Sequence, residues 1–241
     1  MAQKLGTYDV VASLIPGLAF LWGVAWLGKY FGFTPIIPIS GSLGDTSVLL
    51  ALAYITGLFV QGIAQGVTER AVLALSNGFP SSRWLLDDDK YFSPEHRAKL
   101  KGAIAASFDT PVEPLIPRGT SKSESGKLKH RRYQELFYLC YNLVDQKKLS
   151  DRPLTFNAQY GLFRGAFTMA LLTFVVFALV LFLKSSEVVR KGDLALWVWI
   201  LVFLAGGSIV AFARMKKRGE DFAKSVYDLF YSYYCDQRAR K

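Results

Sequence analysis

The stretch "GAFTMALLTFVVFALVLFL", residues 165–183, carries no charge and is apolar on every side. A helix of this kind offers water no face, and soluble folds seldom enclose one completely. About 20 helical residues cross about 30 Å of hydrocarbon at about 1.5 Å per residue. Three further charge-free stretches reach that length: 10–28, 47–67 and 194–213. The whole chain is 51% hydrophobic and 20% charged, so its charge is segregated between these stretches. The pattern predicts an all-α polytopic membrane protein with four transmembrane helices. They group as two hairpins, 1–76 and 155–213. A cytoplasmic helical insert, 77–154, separates them, and an amphipathic C-terminal helix, 214–241, follows.

Orientation comes from the basic residues, which accumulate on the cytoplasmic side of a membrane. Lys4, sixteen residues from Arg70 to Arg164 and eight after Ala213 fall on one side, against Lys29, Lys184, Arg190 and Lys191 on the other. "RMKKR" at 214–218 directly abuts the fourth span. Both termini and the insert are therefore expected in the cytoplasm. The net charge of +10 then points to anionic headgroups ahead of nucleic acid. The first apolar run is long for a secretory signal and lacks an A-x-A-like cleavage site, so it is expected to remain as a span. Cys140 and Cys235 fall in segments assigned to the cytoplasm, where a disulfide is not expected.

Local signals refine the spans. Thr7 or Asp9 can cap the first, and Pro16–Gly17 predicts a kink or a close helix contact. Residues 29–45, "KYFGFTPIIPISGSLGD", are expected at the outer interface. Asp45 and a matching "GD" at 192–193 serve as caps for spans two and four. In the second span Gln61, Gln65 and Glu69 recur every four residues. Measured from Asp45 they stand about 24, 30 and 36 Å along the helix, so only Gln61 lies inside a core of about 30 Å. The helix is expected to run out into the cytoplasm as far as Ser76, where "NG" at 77–78 gives a C-cap signal. Tyr54, Gly57 and Gln61 share a face, with Gly62 and Gly66 as a small-xxx-small pair on the adjoining one. These five are candidates for packing within the chain, for a subunit contact or for a pore lining. Asp9, Glu69, Arg70, Arg164 and Arg214 gather at the inner edge. They are either interfacial anchors or a buried ionic layer, for instance Asp9 with Arg164. No span has a charge in its middle, the usual mark of an ion-coupled transporter.

In the insert, Ser93 and Pro94 open a helix expected to reach Phe108. Residues 109–126, rich in Pro, Gly and Ser, are expected to be irregular or flexible. An amphipathic helix follows in "KHRRYQELFYLCYNLVDQKK", with Tyr133, Leu136, Phe137, Cys140, Leu143 and Val144 as its stripe. The C-terminal segment repeats the design with Phe222, Val226, Phe230 and Tyr233. The two aromatic helices are expected to pack together.

Catalytic and metal signatures are missing from the sequence. His96 and His130 have no metal-spaced neighbours. Asp87, Asp88 and Asp89 lack the alternating spacing of a calcium loop, so a solvated acidic turn is expected. There is no P-loop, G-x-S-x-G or H-E-x-x-H. No catalytic residue, cofactor or metal ligand is assigned, and the chain is read as non-enzymatic.

"YDVVASLIPG" and "FNAQYGLFRGAF" resemble segments of a loose class of uncharacterised bacterial four-span inner-membrane proteins, some of which act as membrane effectors or accessory subunits in anti-phage defence. The resemblance covers mostly the span ends and carries over no functional residue. It implies a place in the bacterial inner (plasma) membrane and, in an effector version, disruption of that membrane. The chain itself is read as one that self-assembles as a homo-oligomer or docks a cytoplasmic protein partner through its cytoplasmic helices. A small-solute channel or transporter is the alternative, resting on Gln61 and Tyr54. A membrane-bound enzyme built on the 87–89 loop and Glu69 is the third.

Overall fold

The computed structural model describes residues 7–32, 43–68, 70, 79–117, 121–190 and 193–240. Among them every regular element is helical. The elements are α1 (Thr7–Tyr30), α2 (Leu43–Ile63) running into a π-helical turn (Ala64–Thr68), α3 (Pro80–Arg83), α4 (Pro94–Phe108), α5 (Lys122–Gln146), α6 (Arg152–Arg190) and α7 (Leu194–Ala239). Four of them, α1, α2, α6 and α7, are long and apolar enough to cross a membrane. The chain divides into two compact units, 1–70 with 158–216 and 71–157 with 217–241.

Close approach of small residues sets the register of the first unit. A Cβ on Gly17 would overlap the Ala53 carbonyl oxygen, and one on Gly57 would overlap the Ser13 carbonyl. Only glycine permits backbones this near. Because Ser13 faces Gly57 while Gly17 faces Ala53, α1 and α2 run antiparallel. A Cβ on Gly23 would stand 3.5 Å from Thr173 of α6, and one on Gly165 would stand 3.2 Å from Pro16; α1 and α6 therefore run the same way. Phe167 meets Phe212 of α7 at 5.4 Å and Phe177 meets Trp197 at 5.6 Å, an antiparallel register. At the Trp197 end Leu27, Phe177, Val188 and Trp197 form a buried cluster flanked by Trp26, Tyr30 and Phe31. There the Tyr30 hydroxyl donates to Asp193 Oδ2 at 2.8 Å. The outward faces are large and apolar: Trp22, Phe59, Trp199 and Phe203 are all at least 70% exposed.

The second unit has its own core. Tyr133, Leu136, Phe137, Cys140 and Val144 of α5 pack with Val226, Tyr227 and Phe230 of α7 and with Leu100 and Ile104 of α4. Phe137 contacts Phe222 at 5.5 Å and Tyr227 at 5.4 Å, so the two aromatic helices do pack together. The sequence stripe named Tyr233 where the buried ring is Tyr227, 1% exposed. Ser93 caps α4 as expected, accepting from the His96 amide at 3.2 Å. Asp109 ends that helix with φ of 46°, the left-handed region open to Asp and Asn.

Three local expectations need correction. The segment 109–126 is irregular as expected over 109–117, and 118–120 lie outside the described residues, but its last residues are helical. Ser121 caps the next helix, its Oγ accepting from the Glu124 amide at 3.2 Å, so α5 begins at Lys122. The boundary drawn at 213/214 is no helix break, because α7 continues from Leu194 to Ala239. Asp45 stands inside the first turn of α2, not before it, where it still complements the helix dipole. Non-helical dihedrals interrupt α6 at Lys184, directly after the apolar run 165–183, although the stretch apolar enough to cross a membrane is Arg152–Ser186. The outer stretch 33–42, the C-cap at 77–78 and Gly192 lie outside the described residues.

Candidate functional site

Pro16 provides the starting point. Lacking an amide hydrogen, it cannot pair with the carbonyl of residue 12 in its own helix. In hydrocarbon an unpaired carbonyl costs several kcal/mol, of the order of about 2–7. Gln61 supplies the missing donor: its Nε2 reaches the Ala12 carbonyl oxygen at 3.0 Å. The same amide nitrogen donates to the Gly161 carbonyl of α6 at 3.1 Å. Its oxygen accepts from Arg164 Nη2 at 3.2 Å. One side chain of α2 thus binds α1 and α6 simultaneously. Gly165 admits it, since a Cβ there would press on the Gln61 amide.

The five candidates of the second span divide accordingly. Gly57 is buried against α1, Gln61 closes the three-helix contact, and Tyr54 is half-buried. Gly62 and Gly66 are exposed, and a Cβ on either would meet no described atom within 4 Å. Glycine contact with α1 belongs to Gly17 and Gly57 instead. The stripe Gln61–Gln65–Glu69 presumes an uninterrupted α-helix, whereas the wider π turn begins at Ala64. Gln65 is exposed there, off the line of Gln61. Of the inner-edge group, Arg164 is half-buried and Arg70 and Arg214 are exposed. Glu69 and the Asp9 side chain lie outside the described residues. Arg164 also stands 5.8 Å from the Tyr160 ring centre, a cation–π distance.

In the second unit the acidic turn is held by cations of the chain. Asp89 pairs with Arg83 at 2.7 Å and Asp87 with Lys101 at 3.0 Å, while Asp88 is exposed. Arg97, 4% exposed, donates to the carbonyls of Asp87 at 2.7 Å and Phe92 at 3.1 Å, and also to that of Asp89. The 87–92 loop therefore wraps a guanidinium.

Two groupings were not foreseen from the sequence. Lys101 Nζ meets Asp87, Glu113 Oε1 at 2.8 Å and the Tyr133 hydroxyl at 3.2 Å. That hydroxyl also donates to Glu113, 2.8 Å from Oε1. Burial alone would raise Glu113, but its bonds to Lys101 and Tyr133 win and hold it below the usual carboxylate range. The Lys101 bond likewise lowers Asp87. Burial and the Glu113 bond push Tyr133 up to about 12. The cluster fastens the 110–117 strap to α4 and α5. No spacing rule links residues 87, 101, 113 and 133.

The second grouping is Ser82 Oγ and His130 Nδ1, 3.2 Å apart. Burial lowers His130, leaving a neutral imidazole near pH 7. Ser82 is 5% exposed, and its hydroxyl also reaches the Phe79 carbonyl at 3.2 Å. We read the pair as a lock on the start of α3. Cys140 is fully buried, and burial pushes its thiol up, so it is unreactive.

Comparison of the chain with protein-family models, with curated proteins and with solved structures finds no match.

Proposed function

We propose that this chain is a non-enzymatic, multi-pass protein of the bacterial inner membrane that self-assembles or docks a cytoplasmic partner. In its effector form it disrupts the membrane as part of a defence system. The supporting observation is how polarity is used in the first unit. Gln61, the amide at bilayer depth, is engaged by Ala12, Gly161 and Arg164, while the outward faces are apolar. A solute pathway would need such groups open to a lumen, so the channel alternative loses its main polar candidate. The antiparallel registers of α1 with α2 and of α6 with α7 support two hairpins. The basic bias of 71–157 and 214–241 supports a cytoplasmic insert and tail.

Self-assembly belongs to the glycines left open. Gly62 and Gly66 allow close approach by a helix from a second copy. The particle mass in detergent tests this. Wild type is expected at a multiple of the chain mass. A Gly62→Leu, Gly66→Leu double variant is expected to move towards the monomer without altering thermal unfolding, since no described atom stands within 4 Å of a Cβ at either position. A monomeric wild type would remove self-assembly and leave partner docking.

A further inference from the structure

We infer that the 114–117 tip of the second unit, with the neighbouring 127–131 face of α5, is a docking surface for an anionic lipid bilayer. This rests on the membrane protein reading and adds a second contact to the spans.

Leu115 is 92% exposed, far more than any core neighbour; Ile116 and Leu128 are exposed as well. Pro114 and Pro117 bracket the tip. Proline there withholds the donors that a helix or sheet would use, so the backbone is committed to display. Yet the strap leading to the tip is anchored. Val112 is 9% exposed within the core, the Pro111 carbonyl accepts from Arg132 Nη2 at 2.6 Å, and Glu113 is fastened to Tyr133 and Lys101. An apolar side chain held outward on a fixed strap is preorganised for a partner.

Charge identifies that partner. Between positions 122 and 132 five basic residues stand against one acid, Glu124. Lys127 is exposed, and the Arg131 side chain is 80% exposed. Glu135 pairs with Arg131 at 3.5 Å and with Arg132 at 3.4 Å, and so offsets part of this charge. Leu115, Leu128, Arg131 and Arg132 border the same hollow, as do Glu113 and Glu135. Both acids are engaged by cations of the chain, Glu113 by Lys101 and Glu135 by the two arginines, so the apolar tip and the basic face stand side by side. Nucleic acid would use the cations but has no use for Leu115. A lipid surface uses both: alkyl side chains enter the acyl boundary while lysine and arginine meet phosphate. Attachment through the spans keeps a bilayer at high effective concentration, so a weak contact suffices.

The test uses the full chain in vesicles, with Leu115→Cys in a Cys235→Ser background carrying an environment-sensitive NBD dye. Buried Cys140 stays unlabelled. In phosphatidylglycerol-containing vesicles we expect blue-shifted emission roughly twofold or more above that in pure phosphatidylcholine. High salt or Lys127→Glu with Arg131→Glu should abolish the difference. Equal, water-like emission in both lipids overturns the inference. High emission in both lipids and in detergent, falling on dilution, assigns the tip to a second copy and overturns it equally. Flotation separates the two levels. A chain that floats with its dye in water fails only here, whereas a chain that does not float fails as a membrane protein.

Discussion

Gln61 is conspicuous as an amide among apolar neighbours, and its position is explained by a hydrogen that Pro16 does not have. Restoring that hydrogen should make the bond of the amide to Ala12 dispensable and leave only its bonds to α6. Gln61→Leu is expected to lower stability by about 1–3 kcal/mol, the cost of a buried acceptor left unmade. In a Pro16→Ala background the residue 16 amide can pair with the Ala12 carbonyl, and the same substitution should cost half as much or less. Thermal unfolding of the four proteins in detergent closes this double-mutant cycle. Equal costs in both backgrounds would show that the two residues do not act through one carbonyl. Each partner was legible in the sequence: Pro16–Gly17 as a kink or contact, Gln61 as the one amide at depth. Their meeting was not, because periodicity tells which residues share a face but not which helix that face meets. For the same reason Gly62 and Gly66, a well-formed motif, stood out above Gly57 and Gly17, which make the contact.

Among the elements, apolar stretches were the most legible, since hydrocarbon thickness imposes a length that residues either meet or fail to meet. Expected span 10–28 compares with Val10–Tyr30, and 47–67 with Gly44–Gly66. Charge boundaries were poor guides to helix boundaries. Leaving a bilayer changes the solvent and not the backbone, and "RMKKRGEDFAKS" holds no proline, so α7 continues through it. The strap 110–117 is irregular as its composition suggests, but its anchoring was not legible because the restraints come from distant residues, and those restraints titrate. Glu113 and Asp87 are held below their ordinary values of 4.5 and 3.8. Their contribution to folding is therefore present above those values and lost as the pH falls beneath them. Tyr133 is raised from 10.0 to about 12, so its share is present below pH 10 and lost as the pH climbs through 12. Melting temperature should form a plateau between these limits and fall on the acid side. The Glu113 side chain is 53% exposed, and solvent screening keeps the effect small. Glu113→Gln should start lower on the plateau and show a shallower acid limb. Parallel acid limbs for variant and wild type would show that the clasp contributes nothing.

For the whole molecule the orientation can be read out with the two cysteines already present. In the proposed orientation twenty-five of 29 basic residues lie on the cytoplasmic side, and Cys235 lies there with them near the C-terminal end of α7. Cys235 is exposed and Cys140 is buried, so a thiol reagent has one target in the folded chain. A membrane-impermeant maleimide added to intact spheroplasts should leave Cys235 unmodified and should label it once the membrane is permeabilised. Cys140 should react only after denaturation, which controls for unfolding in the same sample. Labelling of Cys235 before permeabilisation would place the C-terminus outside. With four crossings the N-terminus and the insert would be outside as well, against the bias of charge. The basic faces of α5 and α7 would then meet the periplasm, and the lipid contact inferred for Leu115 would have to be made on the outer leaflet. A single labelling experiment therefore decides which leaflet the second unit faces, independently of whether it docks there.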